Sequence, residues 1–421
     1  MALSRPAAAR MRWLTNLRLA GDDPARAEAG WRWRVGVDDG GRIARVRPTP
    51  PGSRAAGEDW DGDWLSPGGV DLQINGGLGL AFPELGFGDL PRLEALLELL
   101  WSDGVDAICP TLVTCAPEAL RRALAVLAEA RRRHRPGRCR LLGAHLEGPF
   151  LAPERRGAHP AQHLQAPSRA ALEGLIAGFT GGPEADVALV TLAPELDGAD
   201  AVIAALRAAG VVVSLGHSGA DAAQARRAFT QGVGMLTHSF NAMAGLHHRA
   251  PGPVGEALRQ GEVALGLIAD GVHVDPAMAV LLQRLAPRQV VIVSDALAPY
   301  GLADGRHRWD ERVLLVEDGS CRLEDGTLAG VTLPLLEGVR RLAGWGGLVA
   351  ASIAAATLAP RRLLGERQPL EQLLLGRPLA DTLRWSTAAD GRLDWRRPAA
   401  VAGGSAAMAG GSEAVPQAPA P

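Results

Sequence analysis

The sequence predicts an α/β protein: a (β/α)8 TIM-like barrel with a small β-sandwich module formed from the N-terminal and C-terminal segments. Eight times within about 250 residues, a short apolar run is followed by an amphipathic Ala/Leu/Arg stretch, the pattern of parallel βα units. The first 65 residues instead alternate polar and apolar side chains around turns, as short antiparallel strands do. Residues 379–395 have a similar strand-like pattern and can rejoin this N-terminal part.

The barrel strands are predicted at the eight apolar runs. They are residues 69–75, 105–109, 141–147, 187–192, 211–217, 234–238, 264–269 and 290–295. Helices are predicted between them at residues 117–133, 199–209, 220–231 and 276–285. After the eighth strand the pattern predicts a hairpin, 313–317 with 322–324, and two helices, 335–342 and 350–358, the second ended by Pro360.

These elements divide the chain into four predicted parts. They are residues 1–65 and 366–397, which form the two halves of the β module, residues 66–365, which form the barrel, and residues 398–421. The last part is Pro/Gly-rich and nearly uncharged, so it is expected to be a disordered tail.

Composition excludes several classes of protein. With Lys+Arg 44 and Asp+Glu 46 the net charge is -2, which argues against binding to nucleic acids or anionic membranes. Every basic residue is Arg, so Schiff-base enzymes, Walker-type phosphate loops and metal pairs bridged by a carboxylated lysine are excluded. Apolar runs are too short to span a membrane and Arg interrupts the N-terminus, so we expect a cytoplasmic protein.

Polar side chains stand at the C-terminal ends of the predicted strands, where the active sites of such barrels lie. In chain order they are Gln73, Asn75, His145, Glu147, His217, His238 and Asp295, with His273 in the loop after the seventh strand. Any one histidine is most simply a buried structural residue. Four strand ends that carry such groups in the same register favour a metal site, because uncompensated burial would be costly.

The predicted ligands are Glu147, His217 and His238, with water completing the shell. Three N/O ligands and an open position are typical of a catalytic site, and zinc or ferrous iron suits it best. Gln73 and Asn75 stand where a His-x-His pair would bind a second ion, and neutral amides are poor zinc ligands. One divalent metal ion per subunit is therefore expected.

Asp295 is predicted to be the catalytic acid/base, since a carboxylate beside metal-bound water can exchange protons with it. A helix N-cap is the structural alternative. His273 can polarise a substrate carbonyl. His145 shares a strand face with Glu147, and we expect it to support the site rather than to participate directly.

Two loops have residues suited to a polar or anionic substrate. Arg249 follows His238 in a Gly/Ala-rich loop and offers a fork that matches phosphate, although a solvated basic loop explains it equally well. Residues 157–159, after the third strand, are a second candidate for contacts to substrate hydroxyls.

Six segments occur in an order that resembles a known family. They are PGGVDLQINGGLGLAF, GAHLEGPFLAPERRGAH, GHSGADAAQARRAFTQGVGMLTHSFNAM, GLIADGVHVD, VSDALAPYGLADG and LEDGTLAGVTL. Together they resemble the N-acetylglucosamine-6-phosphate deacetylases of the amidohydrolase superfamily, from about residue 14 to residue 365. The pairing of HLEGPF with THSFNAM is the most specific part of the resemblance.

The resemblance implies hydrolysis of the acetamide of N-acetylglucosamine 6-phosphate, with the same three metal ligands, Asp295 as acid/base and His273 on the acetyl carbonyl. It also implies contacts to this phosphosugar from Ala158, His159, Asn241, Ala242, Arg249, Leu328, Ala329 and Gly330. Arg249 is implied to reach across from a neighbouring subunit of a homodimer.

Three positions depart from the family pattern. Pro299 and Tyr300 follow Asp295 where many relatives have Met and small residues, and Val331 stands where a Ser is usual. These departures bear on which hexosamine is preferred. The alternatives are therefore a deacetylase of N-acetylgalactosamine 6-phosphate or of another amide, and a non-catalytic sugar-phosphate-binding protein.

Overall fold

The N-terminal segment folds into a small mixed sheet. The computed structural model describes residues 11–21 and 24–399. The first elements are β1 (Arg12–Leu19), α1 (Pro24–Glu28), β2 (Arg32–Val37), β3 (Ile43–Thr49), β4 (Glu58–Asp59) and β5 (Trp64–Pro67). Strand β1 pairs antiparallel with β2, and β2 pairs antiparallel with β3, whereas β1 pairs parallel with β4 and β5. Alternate residues such as Leu17, Leu19 and Val35 are buried on one side, as the two-residue period requires.

Eight parallel strands form the barrel. The strands of this part of the chain are β6 (Gly69–Ile74), β7 (Gly76–Gly77), β8 (Leu80–Ala81), β9 (Val105–Val113), β10 (Arg140–Leu141), β11 (Ala144–Glu147), β12 (Val187–Leu192), β13 (Val212–Leu215), β14 (Met235–Leu236), β15 (Ala264–Leu267) and β16 (Val290–Ile292). Strands β6, β9 and β11 to β16 pair in chain order. Just beyond them, Asp295 N–H donates to the Gln73 carbonyl (2.8 Å) and Asn75 N–H to the Ala296 carbonyl (2.7 Å), which joins the first strand to the last. The predicted (β/α)8 barrel is confirmed.

Helices surround the barrel and turn their apolar faces toward it. They are α2 (Leu90–Ser102), α3 (Pro117–Arg132), α4 (Arg169–Ile176), α5 (Ala199–Ala208), α6 (Ala222–Thr230), α7 (Gly252–Gln260), α8 (Pro276–Leu285), α9 (Leu335–Gly344), α10 (Val349–Thr357), α11 (Ala359–Leu363) and α12 (Leu370–Leu373). The bounds of α8 match the prediction, and Pro360 lies in the first turn of α11, where its missing N–H costs nothing. Within the described ranges, no helix combines the length and the apolar character needed to cross a bilayer.

A second sheet is inserted after the eighth barrel strand. It consists of β17 (Gly305–Trp309), β18 (Arg312–Glu317), β19 (Ser320–Leu323) and β20 (Leu328–Val331), all antiparallel. The sequence predicted only its central hairpin. Leu297 N–H donates to the Val331 carbonyl (2.9 Å), so β20 packs against the end of the eighth strand. At Gly330 a Cβ would lie 2.7 Å from the Asp295 carbonyl oxygen, which leaves room for glycine alone.

The C-terminal strands return to the N-terminal sheet, as predicted. Strands β21 (Thr382–Thr387) and β22 (Leu393–Arg396) extend it in the order β22-β21-β5-β1-β2-β3, and β21 pairs antiparallel with β5. The domain boundaries at residues 65, 365 and 397 stay predictions. The tail predicted at 398–421 lies outside the described residues except for its first two positions.

Candidate active site

The chain turns sharply where the predicted ligands follow their strands. Glu147 is the last residue of β11, whereas His217 and His238 lie two residues beyond β13 and β14. The φ angles of His217, His238 and Asp295 are 49°, 29° and 50°. Residues other than glycine rarely adopt this left-handed backbone conformation, and backbone strain of this kind clusters at functional sites. Three such turns at one end of the barrel bring the side chains into one cluster.

Glu147 is the centre of the cluster. Its Oε1 lies 3.1 Å from His217 Nε2 and 3.2 Å from His238 Nε2, and the two Nε2 atoms are 3.1 Å apart. All three side chains are almost completely buried. Ligands bound at about 2.0–2.2 Å to one tetrahedral ion lie about 3.3 Å from each other, so these spacings are close to those of a metal site.

The tautomer of His217 supports the same conclusion. Its Nδ1 donates to the backbone carbonyl of Arg155 at 2.9 Å, so in the neutral ring Nε2 carries no proton. A lone pair then faces the carboxylate oxygen of Glu147, which is repulsive unless a cation or a proton lies between them. A histidine that donates its other ring N–H to a backbone carbonyl is typical of metal sites. These residues fit a divalent ion.

His159 adds a third nitrogen, near the other oxygen of Glu147. The Thr114 hydroxyl donates to the Glu147 backbone carbonyl (3.0 Å), and His159 Nδ1 lies 3.0 Å from that hydroxyl and accepts from the Thr114 backbone N–H at 3.4 Å. Its Nε2 lies 3.8 Å from Glu147 Oε2. The ligand atoms of Glu147, His159 and His217 all lie within 4.8 Å of one another. The sequence predicted His159 only as a substrate contact.

Burial and charge act in opposite directions on this cluster. Burial alone would raise the pKa of Glu147, but its contacts with His217 and His238 hold it well below its usual value. Burial alone would lower the pKa of His238, and the bond to Glu147 raises it instead. For His159, burial and the neighbouring His217 lower the pKa to about 3. The site therefore holds an anionic carboxylate beside a neutral imidazole at His159, as metal binding requires.

Gln73 and Asn75 hold the catalytic carboxylate expected at Asp295. Asn75 Nδ2 donates to Asp295 Oδ1 at 2.8 Å, and Gln73 Nε2 donates to the same atom at 3.2 Å and to Glu147 Oε1 at 3.1 Å. Burial and the negative charge of Glu147 raise the pKa of Asp295. The two amides thus act as hydrogen-bond donors to carboxylates in the place where a second ion would need ligands.

His273 is paired with an aspartate that the sequence reading missed. His273 Nδ1 lies 2.7 Å from Asp270 Oδ2, and both side chains are nearly buried. In the sequence, the pair is indicated only by the spacing of Asp270 and His273, three positions apart in Asp-Gly-Val-His. It shows only that such a contact is sterically possible.

His145 lies deeper in the barrel than the cluster. Its Nδ1 is 3.1 Å from the Thr111 hydroxyl and its Nε2 is 2.7 Å from the Thr191 hydroxyl, so both ring nitrogens have partners. Burial lowers its pKa to about 4, which keeps the ring neutral.

A cavity of about 310 Å³ opens over the cluster. Of the predicted substrate contacts, those in its wall are Ala158, His159, Asn241, Ala242, Leu328 and Ala329. Gly330 and Arg249 lie outside the wall that the described residues form. Arg249 is exposed on the loop after His238, and its backbone N–H donates to His247 Nδ1 at 3.3 Å.

The wall also contains side chains that the sequence did not predict. Trp309, at the end of β17, and Arg155, in the loop after β11, both line the cavity. The guanidinium of Arg312 lies 4.4 Å from the centre of a Trp309 ring and donates to the Ala158 carbonyl at 2.7 Å. The inserted sheet is thus tied to the loop that carries Ala158.

The three departures from the family pattern lie behind the cavity. Among the described residues, neither Pro299, Tyr300 nor Val331 is part of its wall. The Tyr300 hydroxyl donates to the Asp103 carboxylate and the ring is buried. Val331 is buried as well, and its backbone pairs with the segment after Asp295.

Known proteins with similar sequences are phosphosugar deacetylases. An N-acetylglucosamine-6-phosphate deacetylase from Rattus norvegicus is 39% identical over 353 residues, which cover 80% of this chain and 85% of the relative. The enzyme of that name from Homo sapiens is 38% identical over 357 residues, 81% of this chain and 86% of the relative. An N-acetylgalactosamine-6-phosphate deacetylase from Escherichia coli O157:H7 is 35% identical over 342 residues, 80% of this chain and 87% of the relative.

Solved structures agree with these sequences, although no family model matches the chain. A mutant N-acetyl-D-glucosamine-6-phosphate deacetylase from Mycobacterium smegmatis, in complex with N-acetyl-D-glucosamine-6-phosphate, superimposes with a TM-score of 0.73 at 28% identity, covering 91% of this chain and 96% of its own. The Thermotoga maritima enzyme of the same name gives 0.70 at 29% identity, covering 83% and 90%. The resemblance inferred from the sequence segments is confirmed: this chain belongs to the N-acetylglucosamine-6-phosphate deacetylase family.

Proposed function

We propose that this chain hydrolyses the acetamide of N-acetyl-D-glucosamine 6-phosphate to D-glucosamine 6-phosphate and acetate, as a metal-dependent enzyme of amino-sugar metabolism. The observation that carries the proposal is the convergence of Glu147, His217, His238 and Asp295 beneath one cavity, in a chain 39% identical to a relative with that name. The cavity is large enough for a monosaccharide phosphate.

Glu147, His217 and His238 would hold the single divalent ion, zinc or ferrous iron. The contacts within this set are 3.1–3.2 Å, whereas His159 lies 3.8 Å from Glu147, which favours His238 as the third ligand. When bound, such an ion supplies Lewis acidity, which activates water and polarises an amide carbonyl.

Asp295 moves the proton. Both of its amide donors bind Oδ1, so Oδ2 is the oxygen left to take a proton from the attacking water and to return it to the departing amine nitrogen. Its raised pKa suits this exchange, because a carboxyl with an ordinary pKa would hold the proton too weakly.

His273 and His159 both line the cavity and would contact the substrate. His273 donates a hydrogen bond to the acetyl carbonyl oxygen as negative charge develops there. His159, which lines the cavity, forms a hydrogen bond with a sugar hydroxyl through Nε2. The remaining sugar contacts come from residues of the cavity wall: Ala158, Asn241, Ala242, Leu328 and Ala329.

Arg249 binds the phosphate from a second copy of the chain in a homodimer. In one copy the residue is exposed and lies outside the cavity wall, so its guanidinium is free to serve the site of another copy. The test mixes an Asp295→Asn chain with an Arg249→Ala chain: in mixed dimers one site regains both residues and activity returns. If the two variant chains form mixed dimers but activity does not return, this arrangement is wrong.

Acetate release from N-acetylglucosamine 6-phosphate, with and without a chelator, tests the main proposal. We expect release that stops on chelation and returns with zinc or ferrous iron. No release from the metal-loaded protein would favour the sugar-phosphate-binding alternative. Metal analysis of Glu147→Gln and His238→Ala, each expected to lose the ion, separates a missing metal from a missing activity.

N-acetylgalactosamine 6-phosphate is the second candidate substrate, because a relative with 35% identity is named for it. The two sugars differ only at one hydroxyl, so the ratio of their kcat/KM values decides between them. A cytoplasmic location stays a prediction from the sequence.

A further inference from the structure

Asp270 binds both the ring of His273 and the backbone that carries it. Its Oδ2 lies 2.7 Å from His273 Nδ1, and its Oδ1 accepts from the backbone N–H groups of Val272 (2.9 Å) and His273 (2.8 Å). Arg341 on α9 donates to the Asp270 backbone carbonyl at 2.6 Å. The side chains of His273 and Asp270 are 6% and 4% exposed. The Nδ1 side of the ring is therefore fixed, and the ring lines the cavity.

This contact restricts where the protons of His273 can be. Burial alone would raise the pKa of Asp270, but the hydrogen bond and charge of His273 and two backbone N–H groups hold it below its usual value. An ionised carboxylate only accepts hydrogen bonds, so Nδ1 of His273 carries a proton. In a neutral ring Nε2 would then be bare and unable to donate to a carbonyl oxygen.

We propose that Asp270 is a positioning residue that holds His273 as a doubly protonated imidazolium, whose Nε2–H donates to the amide carbonyl oxygen in the cavity. The proposal rests on the role of His273 in the proposed function. A charge-assisted hydrogen bond is roughly twice as strong as a neutral one. Because the carbonyl oxygen gains negative charge only as the bond is attacked, this donor stabilises the transition state more than the bound substrate.

Other charged groups near the ring act in both directions. Asp295, at the end of the eighth strand, attracts the imidazolium, and His273 in turn opposes the rise in the pKa of Asp295. Arg341 repels it, but this guanidinium is bound to the Asp270 carbonyl and to Glu337. Asp270 is the charged group in direct contact with the ring.

Asp270→Asn tests the proposal, because the amide keeps the size of the carboxylate and one oxygen for the two backbone N–H groups. In the metal-loaded protein we expect kcat to fall about 10- to 100-fold while KM stays within about threefold. In a His273→Gln background, Asp270→Asn should change kcat by less than about twofold, because a residue that acts through His273 then has nothing to act on. An unchanged kcat in the single variant, or an equal fall in both backgrounds, would overturn the proposal.

Proton NMR of the ring provides a readout without substrate. A ring proton bonded to a carboxylate resonates downfield of the backbone amides, and we expect one such signal to vanish in both Asp270→Asn and His273→Gln. Its survival in Asp270→Asn would overturn the pairing. If the wild-type protein releases no acetate, the proposed function fails, and this spectrum still tests the pairing itself.

Discussion

The two ends of the barrel bury charged groups in opposite ways. At the end where the strands begin, Asp106 Oδ2 accepts from Arg361 (2.8 Å), Arg377 (3.2 Å) and the Gly68 N–H (3.0 Å). Arg361 is only 2% exposed, and it also donates to the Gly68 carbonyl. At the end where the strands finish, two carboxylates and several imidazoles face one another with few opposite charges. The first cluster is compensated by its own residues, whereas the second is not.

This difference separates stability from chemistry. The Asp106 cluster joins the first two barrel strands to α11 and to the C-terminal segment, so its bonds hold distant parts of the chain together. The Glu147 cluster contains repelling groups and unusual φ angles. Such an arrangement is kept for what it binds, as expected for the C-terminal end of a barrel.

The largest effect is expected for Asp295→Asn. Without the proton acceptor, kcat should fall at least about 10³-fold, since general acid–base catalysis contributes about 10²–10⁴. The melting temperature should not fall, because the change removes a buried charge that Glu147 repels. Kinetics, metal content and thermal unfolding are measured together. Near-normal turnover would remove Asp295 as the base, and a lost ion would make it a metal ligand instead.

Asp106→Ala should have the converse effect. Removing one partner of a buried ion pair leaves Arg361 uncompensated and is expected to cost about 3–5 kcal/mol of the free energy of unfolding. Turnover per folded molecule should stay unchanged, because the change lies at the other end of the barrel. Chemical denaturation measures the loss. Glu58→Ala, which breaks the exposed pair with Arg12, is the control and should cost at most about 1 kcal/mol.

The sequence predicted the eight strands and the cluster at their ends because both depend on local patterns. It extended several strands too far, since His217 and Asp295 leave the sheet with positive φ angles that apolar runs do not reveal. It missed Trp309 because only a long-range contact, between Arg312 and the Ala158 carbonyl 154 residues away, ties that hairpin to the site. Contacts of this kind are set by the tertiary fold.

Trp309→Ala tests whether the inserted sheet belongs to the catalytic end. The ring lines the cavity but carries no reacting group, so KM should rise about five- to tenfold, with kcat within about threefold. Steady-state kinetics with the phosphosugar measure both constants. Trp64→Ala is the matched control. The Trp64 ring also lies under a guanidinium, that of Arg18, but it belongs to the β module, so the KM of this variant should stay unchanged. Equal KM values in Trp309→Ala and Trp64→Ala would show that the inserted sheet takes no part in substrate binding.

Asn75→Ala should give the smallest effect, a shift in pH dependence. The hydrogen bond from Asn75 lowers the pKa of Asp295 against burial and the charge of Glu147, so its loss should raise that pKa further. Asp295 must be ionised to accept a proton, and activity is therefore lost as pH falls through its pKa. The acid limb of kcat/KM should move to higher pH by less than about one unit, a change of up to about 1.4 kcal/mol between the protonation states. Asn241→Ala is the control, because Asn241 lines the same cavity but its amide donates to the Ser239 carbonyl. This variant should leave the acid limb of kcat/KM in place. The prediction is wrong if the acid limb of kcat/KM moves equally in both variants, or moves to lower pH in Asn75→Ala. The hydrogen bond from Asn75 would then not be what lowers the pKa of Asp295.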